Sequence, residues 1–168
     1  MKIPVFVSAP TDLNPIQEKS RKLIINQLNA LQLEPRALGR GDYPAELPLR
    51  EVYNIARHCA GGIILGFIQF ETRAGKWKRG TPKEKAQSGV VAFPTPWNHL
   101  EAGILFGLRL PLLIFREPNV TGGVFDQGVT DVFVHPAPVP PLEPAKEEAL
   151  QQVFLKWASK VREIYYSY

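Results

Sequence analysis

The chain has few of the residues from which metal centres and cross-links are built. Its 168 residues include one cysteine, Cys59, and three histidines, at positions 58, 99 and 135. A lone cysteine excludes an intramolecular disulfide and a multi-cysteine metal cage. The histidines lack His-x-x-x-His spacing, which argues against a transition-metal enzyme. No stretch approaches the roughly 20 consecutive apolar residues that cross a bilayer. The opening MKIPVFVSAP carries one lysine and reads as a strand, not as a signal segment. A cytoplasmic protein without a membrane partner is the expectation. Gly-x-Gly-x-x-Gly after the first strand, Gly-x-x-x-x-Gly-Lys-Ser/Thr, Gly-x-Ser-x-Gly and His-Glu-x-x-His are all missing. Redox dinucleotide enzymes, phosphate-loop NTPases, serine hydrolases and zincins lose their usual signatures.

What is present suits one compact domain over residues 1–168: 45% of residues are hydrophobic and 21% charged. The net charge of +4 is localised. From Glu71 to Gln87 six basic residues (Arg73, Lys76, Lys78, Arg79, Lys83, Lys85) face two acids (Glu71, Glu84), and the remainder balances at fourteen against fourteen. Such a segment is a solvated surface loop or a flap that attracts phosphate. Only Trp77 is interleaved with the cations, whereas single-strand platforms present several aromatics, which argues against nucleic acid.

Hydrophobic spacing predicts alternating strands and helices. IPVFVS (3–8) reads as a strand. Asn14-Pro15 reads as a helix cap, followed by Ile16, Leu23, Ile24, Leu28 and Leu31 at helical spacing through about Leu33. Glu34–Leu38 suggests a second strand, and Leu49, Val52, Ile55 and Ala56 a short helix reaching His58. IILGF (63–67) is a continuous apolar run of the kind covered on both faces. Residues 68–95 show no period and read as a long lid or disordered loop. Thr95-Pro96 opens a helix with Leu100, Ile104, Leu105 and Leu108 on one side. LLIF (112–115), a last strand at 132–134, the stiff PAPVPPLEP and a helix over about 145–165 complete the chain. The pattern predicts an α/β fold: a parallel sheet with helices on both faces. Ligands of such sheets bind beyond the carboxyl ends of the strands, which selects loops 8–14, 39–48, 67–96 and 116–128.

The segment from Thr95 to Gly103 carries the chemistry. Trp97 and Glu101 are four apart, so on a helix the carboxylate and the indole share a face near its start. Gly103 and Gly107 would let that helix approach the sheet closely. A plainer reading makes Glu101 a boundary residue at the edge of an apolar stripe and Trp97 a packing residue.

VFVSAPTD, CAGGIILGF and TPWNHLEAGILFGLRLPLLIF together resemble the superfamily that joins Toll/interleukin-1 receptor (TIR) domains and nucleoside 2-deoxyribosyltransferases. The resemblance spans residues 3–135 and implies a flavodoxin-like domain. By position it implies Glu101 as the catalytic glutamate, Trp97 as the tryptophan before it, and Ser8, Ala9 and Pro10 as the first ligand loop. Where the transferases usually carry an aspartate before the central strand, this chain has Cys59-Ala60-Gly61, and the 68–95 insertion exceeds a minimal TIR domain. The implied reaction cleaves the nicotinamide–ribose bond of NAD, as substrate and not cofactor, to ADP-ribose or a cyclic product. Prokaryotic antiviral immune signalling and activation through a homo-oligomer or partner protein are implied as well. The nicotinamide leaves neutral from a cationic ring, so one carboxylate suffices to stabilise the oxocarbenium-like ribose. In a deoxyribosyltransferase the same glutamate would attack the anomeric carbon. A non-catalytic nucleotide-sensing or assembly module is the third reading.

Phe67 and Trp97 are candidate walls of the sugar pocket, and Asn98 and Asp12 candidate substrate contacts. Asp12 and Asn14 are equally turn and cap residues. His99 reads as structural. Asp42 and Tyr43 fall in the region of TIR assembly contacts or in a plain turn, Asp126 is a candidate for the far side of the cleft, and Cys59 reads as a small core hydrophobe.

Overall fold

The computed structural model describes residues 2–38 and 47–167, so Asp42 and Tyr43 lie outside the described residues. In chain order the elements are β1 (Ile3–Ser8), α1 (Pro15–Ala30), β2 (Leu33–Arg36), α2 (Pro48–Ala56) and β3 (Gly62–Gly66). There follow four short strands, β4 (Phe70–Thr72), β5 (Lys76–Trp77), β6 (Lys85–Ala86) and β7 (Val91–Phe93). Helix α3 (Pro96–Gly107), β8 (Leu112–Arg116), β9 (Val134–Pro136) and α4 (Pro144–Tyr166) end the fold.

The main sheet has five parallel strands in the order β2-β1-β3-β8-β9. Helices α1 and α4 cover one face, where Ile24, Leu28, Phe154 and Trp157 pack on Val5, Val7, Ile63 and Leu65. Helices α2 and α3 cover the other, where Val52, Ala56, Ala102 and Leu105 pack on Phe6, Ile64 and Ile114. The alternating pattern predicts such a parallel sheet covered on both faces, and the arrangement is flavodoxin-like. Pro35, which has no amide to donate, sits in β2 at one edge of the sheet, where the outward position needs none. At the other edge the Gln127 amide donates to Val134 O (2.7 Å) and accepts from Val134 N (3.1 Å). Those bonds occupy positions that an added strand would need.

Four expectations are corrected. First, α1 ends at Ala30, not near Leu33, because Gln32 takes a left-handed turn (φ 60°) and Leu33 opens β2. Its buried face holds Gln17 and Ser20, while Ile16 is exposed. Second, β2 and β9 are displaced by one or two residues from 34–38 and 132–134, since pairing with β1 and β8 sets their limits. Third, residues 68–95 form an ordered ribbon: β4 pairs antiparallel with β7, and β5 with β6. Its outer part is exposed on both sides, so it carries no hydrophobic period to read. Fourth, α3 does not approach the sheet through Gly103 and Gly107, which face open space, and Leu100 is exposed.

The close approach lies on the sheet instead. A Cβ on Gly62 would stand 2.6 Å from Leu105 Cδ1, and Leu105 is fully buried. We expect Gly62→Ala to cost about 1–3 kcal/mol by overpacking. In a Leu105→Ala background the added methyl enters vacated space, so that cost should vanish. Urea unfolding of the two single variants and the double variant checks this, and additive losses would contradict it.

Candidate active site

In the order β2-β1-β3 the chain leaves β1 toward one side of the sheet and resumes on the other. The carboxyl ends of β1 and β3 therefore flank the crevice where ligands of open parallel sheets bind. Ser8 is the last residue of β1, and Leu65 stands one residue from the end of β3.

Helix α3 delivers its first turns to this crevice. Thr95 caps it, its hydroxyl accepting from Asn98 N (3.3 Å), and Pro96 fits the first turn, where no amide partner is required. Asn98 is 1% exposed and spans the crevice: its Nδ2 donates to Ser8 Oγ (2.8 Å) and to Leu65 O (3.3 Å). Among the described residues its Oδ1 has no partner. Three residues on, Glu101 is 9% exposed and lies near the Ser8 hydroxyl. Burial pushes the Glu101 carboxyl up to about 6, and the Ser8 hydrogen bond draws it partly back. Among the described residues no lysine or arginine pairs with it.

Ser8, Asn98 and Glu101 thus meet. The buried face of α3 is Asn98, Glu101, Ala102 and Leu105, whereas Trp97 is 41% exposed. Asn98 and Glu101 thus share the inward face of the helix. Phe67 is fully buried in the core under α1 and α4, the face of the sheet opposite α3, and is not joined to Glu101. Ala9 packs against that same core, and Pro10 is buried. Asp12 is exposed: its carboxylate accepts from Thr11 Oγ1 (3.3 Å), and its backbone carbonyl from Gln69 Nε2 (3.2 Å).

A second polar network ties the same rim together. Glu117 Oε2, just past β8, accepts from Ile68 N (2.6 Å) and from Gln17 Nε2 (2.8 Å), and Gln17 Nε2 also donates to Ile68 O (3.1 Å). Gln17 and Asn14 complete a reciprocal capping box (2.8 and 3.0 Å). Asn14 is thereby a cap. The spacing Asn-x-x-Gln signals the box, but nothing local signals that Glu117 would join it from 100 residues away.

The remaining candidates have structural roles. His99 stands edge-to-face on Phe125 (5.3 Å), and burial holds its imidazole below the usual range against the pull of Asp126. Asp126 accepts from Gly122 N (2.9 Å) and Thr121 Oγ1 (3.2 Å), which closes its own loop. Burial pushes the Cys59 thiol up to about 12, and it donates to Ile55 O, so it behaves as a small hydrophobe. Among the described residues no three His, Cys, Asp or Glu side chains gather to hold a metal ion. A cavity of about 560 Å³ lies beside Arg36, His58 and Cys59, and a groove of about 1080 Å³ beside Arg109, Phe133 and Trp157. Neither is lined by Glu101.

Because folding raises the Glu101 pKa from 4.5 to about 6, this group lowers stability as pH rises through that window. We expect Glu101→Gln to raise unfolding free energy at pH 7.5 by up to about 2 kcal/mol, from 1.36 kcal/mol per pH unit, and to change it little at pH 4. Urea unfolding at both pH values reads the difference. A glutamine variant less stable at pH 7.5 would contradict the placement of the carboxylate.

Comparison of the chain with protein-family models, curated proteins and solved structures finds no match. Its function is therefore argued from the chemistry of the crevice.

Proposed function

We propose that the protein cleaves the bond between nicotinamide and ribose in NAD, with Glu101 as its catalytic residue. One observation carries the reading: among the described residues, a buried carboxylate at the β1/β3 crevice has no cation partner, and three residues before it a buried Asn98 has a side-chain oxygen without a hydrogen-bond partner. A buried anion without a counter-charge is costly in the resting protein and is offset when positive charge develops next to it. The ribosyl cation is such a charge. The resemblance of the Trp97–Glu101 segment and the first-strand loop to TIR domains supports the same assignment.

In the proposed reaction the C1′–N bond breaks with its electron pair passing to the nicotinamide nitrogen, so the leaving group needs no proton. Glu101 offsets the charge on the ribose ring, and Asn98 Oδ1 accepts from a ribose hydroxyl. Water then adds at C1′ and loses its proton to Glu101, whose pKa near 6 makes it a stronger base than an ordinary carboxylate. Attack by the adenine in place of water gives the cyclic product. Activation by self-association or by a partner protein belongs to the same proposal.

Purified protein incubated with NAD over a range of protein concentrations should release nicotinamide, and chromatography reads whether ADP-ribose or a cyclic form accompanies it. Glu101→Gln should lower turnover by about 10²–10⁴ while the fold persists. Turnover should fall as pH drops through about 6, because the ionised carboxylate is the working form. Absence of nicotinamide at every concentration would overturn the proposal. Deoxyribosyl exchange between bases without NAD consumption would replace it with a transferase.

A further inference from the structure

The ribbon over residues 70–93 is unused by this chemistry, and its construction is that of a rigid arm. At its root β4 pairs with β7, Gln69 N donates to Phe93 O (3.0 Å), and Ala92 N donates to Asn119 O (3.1 Å). Further out, β5 pairs with β6 and Gln87 N donates to Gly75 O (2.8 Å). At the turn Lys78 and Gly80 adopt left-handed φ values of 52° and 74°, and Thr81 Oγ1 donates to Lys78 O (2.8 Å). The turn therefore projects Lys78 and Arg79 from a closed, hydrogen-bonded tip.

Between residues 73 and 85 there are six cations and one acid, Glu84. Glu84 is consumed within the ribbon, accepting from Lys76 Nζ (2.9 Å) and Gly80 N (2.8 Å). Arg73, Lys78, Arg79, Lys83 and Lys85 are all exposed, and among the described residues none has an acidic partner. Five like charges on a two-stranded ribbon repel one another, and the outer part of this arm, exposed throughout, has no apolar core to offset that repulsion. A polyanion removes the repulsion.

The geometry narrows which polyanion. All five free cations are exposed, as contacts to an extended polyanion require. Trp77 is spent internally: its ring stands edge-on to Phe93 (6.1 Å), and its indole N–H donates to Gln87 Oε1. The arm thus offers no free aromatic platform for the unstacked bases of a single strand. A two-stranded β-ribbon does fit the major groove of B-form DNA, about 12 Å wide. The major groove of an RNA duplex is too deep and narrow to admit one.

We propose that the 70–93 ribbon docks on B-form duplex DNA through its phosphates, without base-sequence preference. Binding uses Arg73, Lys78, Arg79, Lys83 and Lys85 and is independent of the reaction at Glu101.

The test is fluorescence anisotropy of the full chain with a labelled mixed-sequence DNA duplex at several salt concentrations. Log affinity should fall with log salt at a slope of about −4.5, from 0.9 for each of five neutralised phosphates. The Lys78→Glu, Arg79→Glu, Lys83→Glu triple variant should bind at least about tenfold more weakly, with a slope shallower by about 3. Lys19→Glu with Lys22→Glu on α1 serves as the charge control and should bind as the parent chain does. Circular dichroism confirms that each variant folds, which the exposure of all three ribbon positions leads us to expect. Equal affinity of the triple variant and the parent, or a slope near zero, would overturn the proposal. So would equal or tighter binding to duplex RNA, to single-stranded DNA or to phosphatidylserine vesicles. Nicotinamide release is not read in this experiment, so its outcome stands apart from that of the NAD reaction.

Discussion

The Asn98 amide joins the first turn of α3 to two neighbouring strands at once, through Ser8 Oγ and Leu65 O. The burial of Glu101 depends on that attachment. With α3 held against the crevice between β1 and β3, the next inward position of the helix is residue 101, and its carboxylate leaves water for the Ser8 hydroxyl. Two costs accumulate at this point. A buried carbonyl oxygen without a partner costs about 1–3 kcal/mol, and a desolvated carboxylate adds to it. The surrounding core sustains both, with Ala102 and Leu105 packed on the same face of the sheet.

Much of the scaffold was legible in the sequence, and particular residues show why. The runs 3–8, 63–67 and 112–115 are apolar but for Ser8 because β1, β3 and β8 are interior strands covered on both faces. Asn14-Pro15 and Thr95-Pro96 mark helix starts because a side-chain acceptor and an imide nitrogen both suit the first turn. The ribbon escaped notice because its strands have only two or three residues, too few to display a hydrophobic alternation. The choice of face on α3 was harder to read. The spacing of Leu100, Ile104 and Leu108 suggested one stripe, yet the helix turns Asn98 and Glu101 inward, since the polar crevice at the strand ends rewards hydrogen bonds over aliphatic packing. Glu101 could be singled out from its position, but its link to Ser8 joins residues far apart in the chain, and no local pattern encodes such a contact. Glu117 is the same case.

The crevice and the root of the ribbon sit on one rim. The Gln17–Glu117–Ile68 network fastens the start of α1, the end of β3 and the end of β8, and the ribbon departs directly from Ile68. Gln69 then ties the ribbon's root to the loop after β1, the loop that begins at Ser8. At the far edge of the sheet, Gln127 closes β9.

The most direct test of the account is a crystal structure of the protein with ADP-ribose bound. The account expects the ribose freed of nicotinamide to lie in the β1/β3 crevice, its hydroxyls within hydrogen-bonding reach of the Glu101 carboxylate and Asn98 Oδ1. A ribose bound elsewhere, with the carboxylate still closed on Ser8 and the crevice empty, would contradict it.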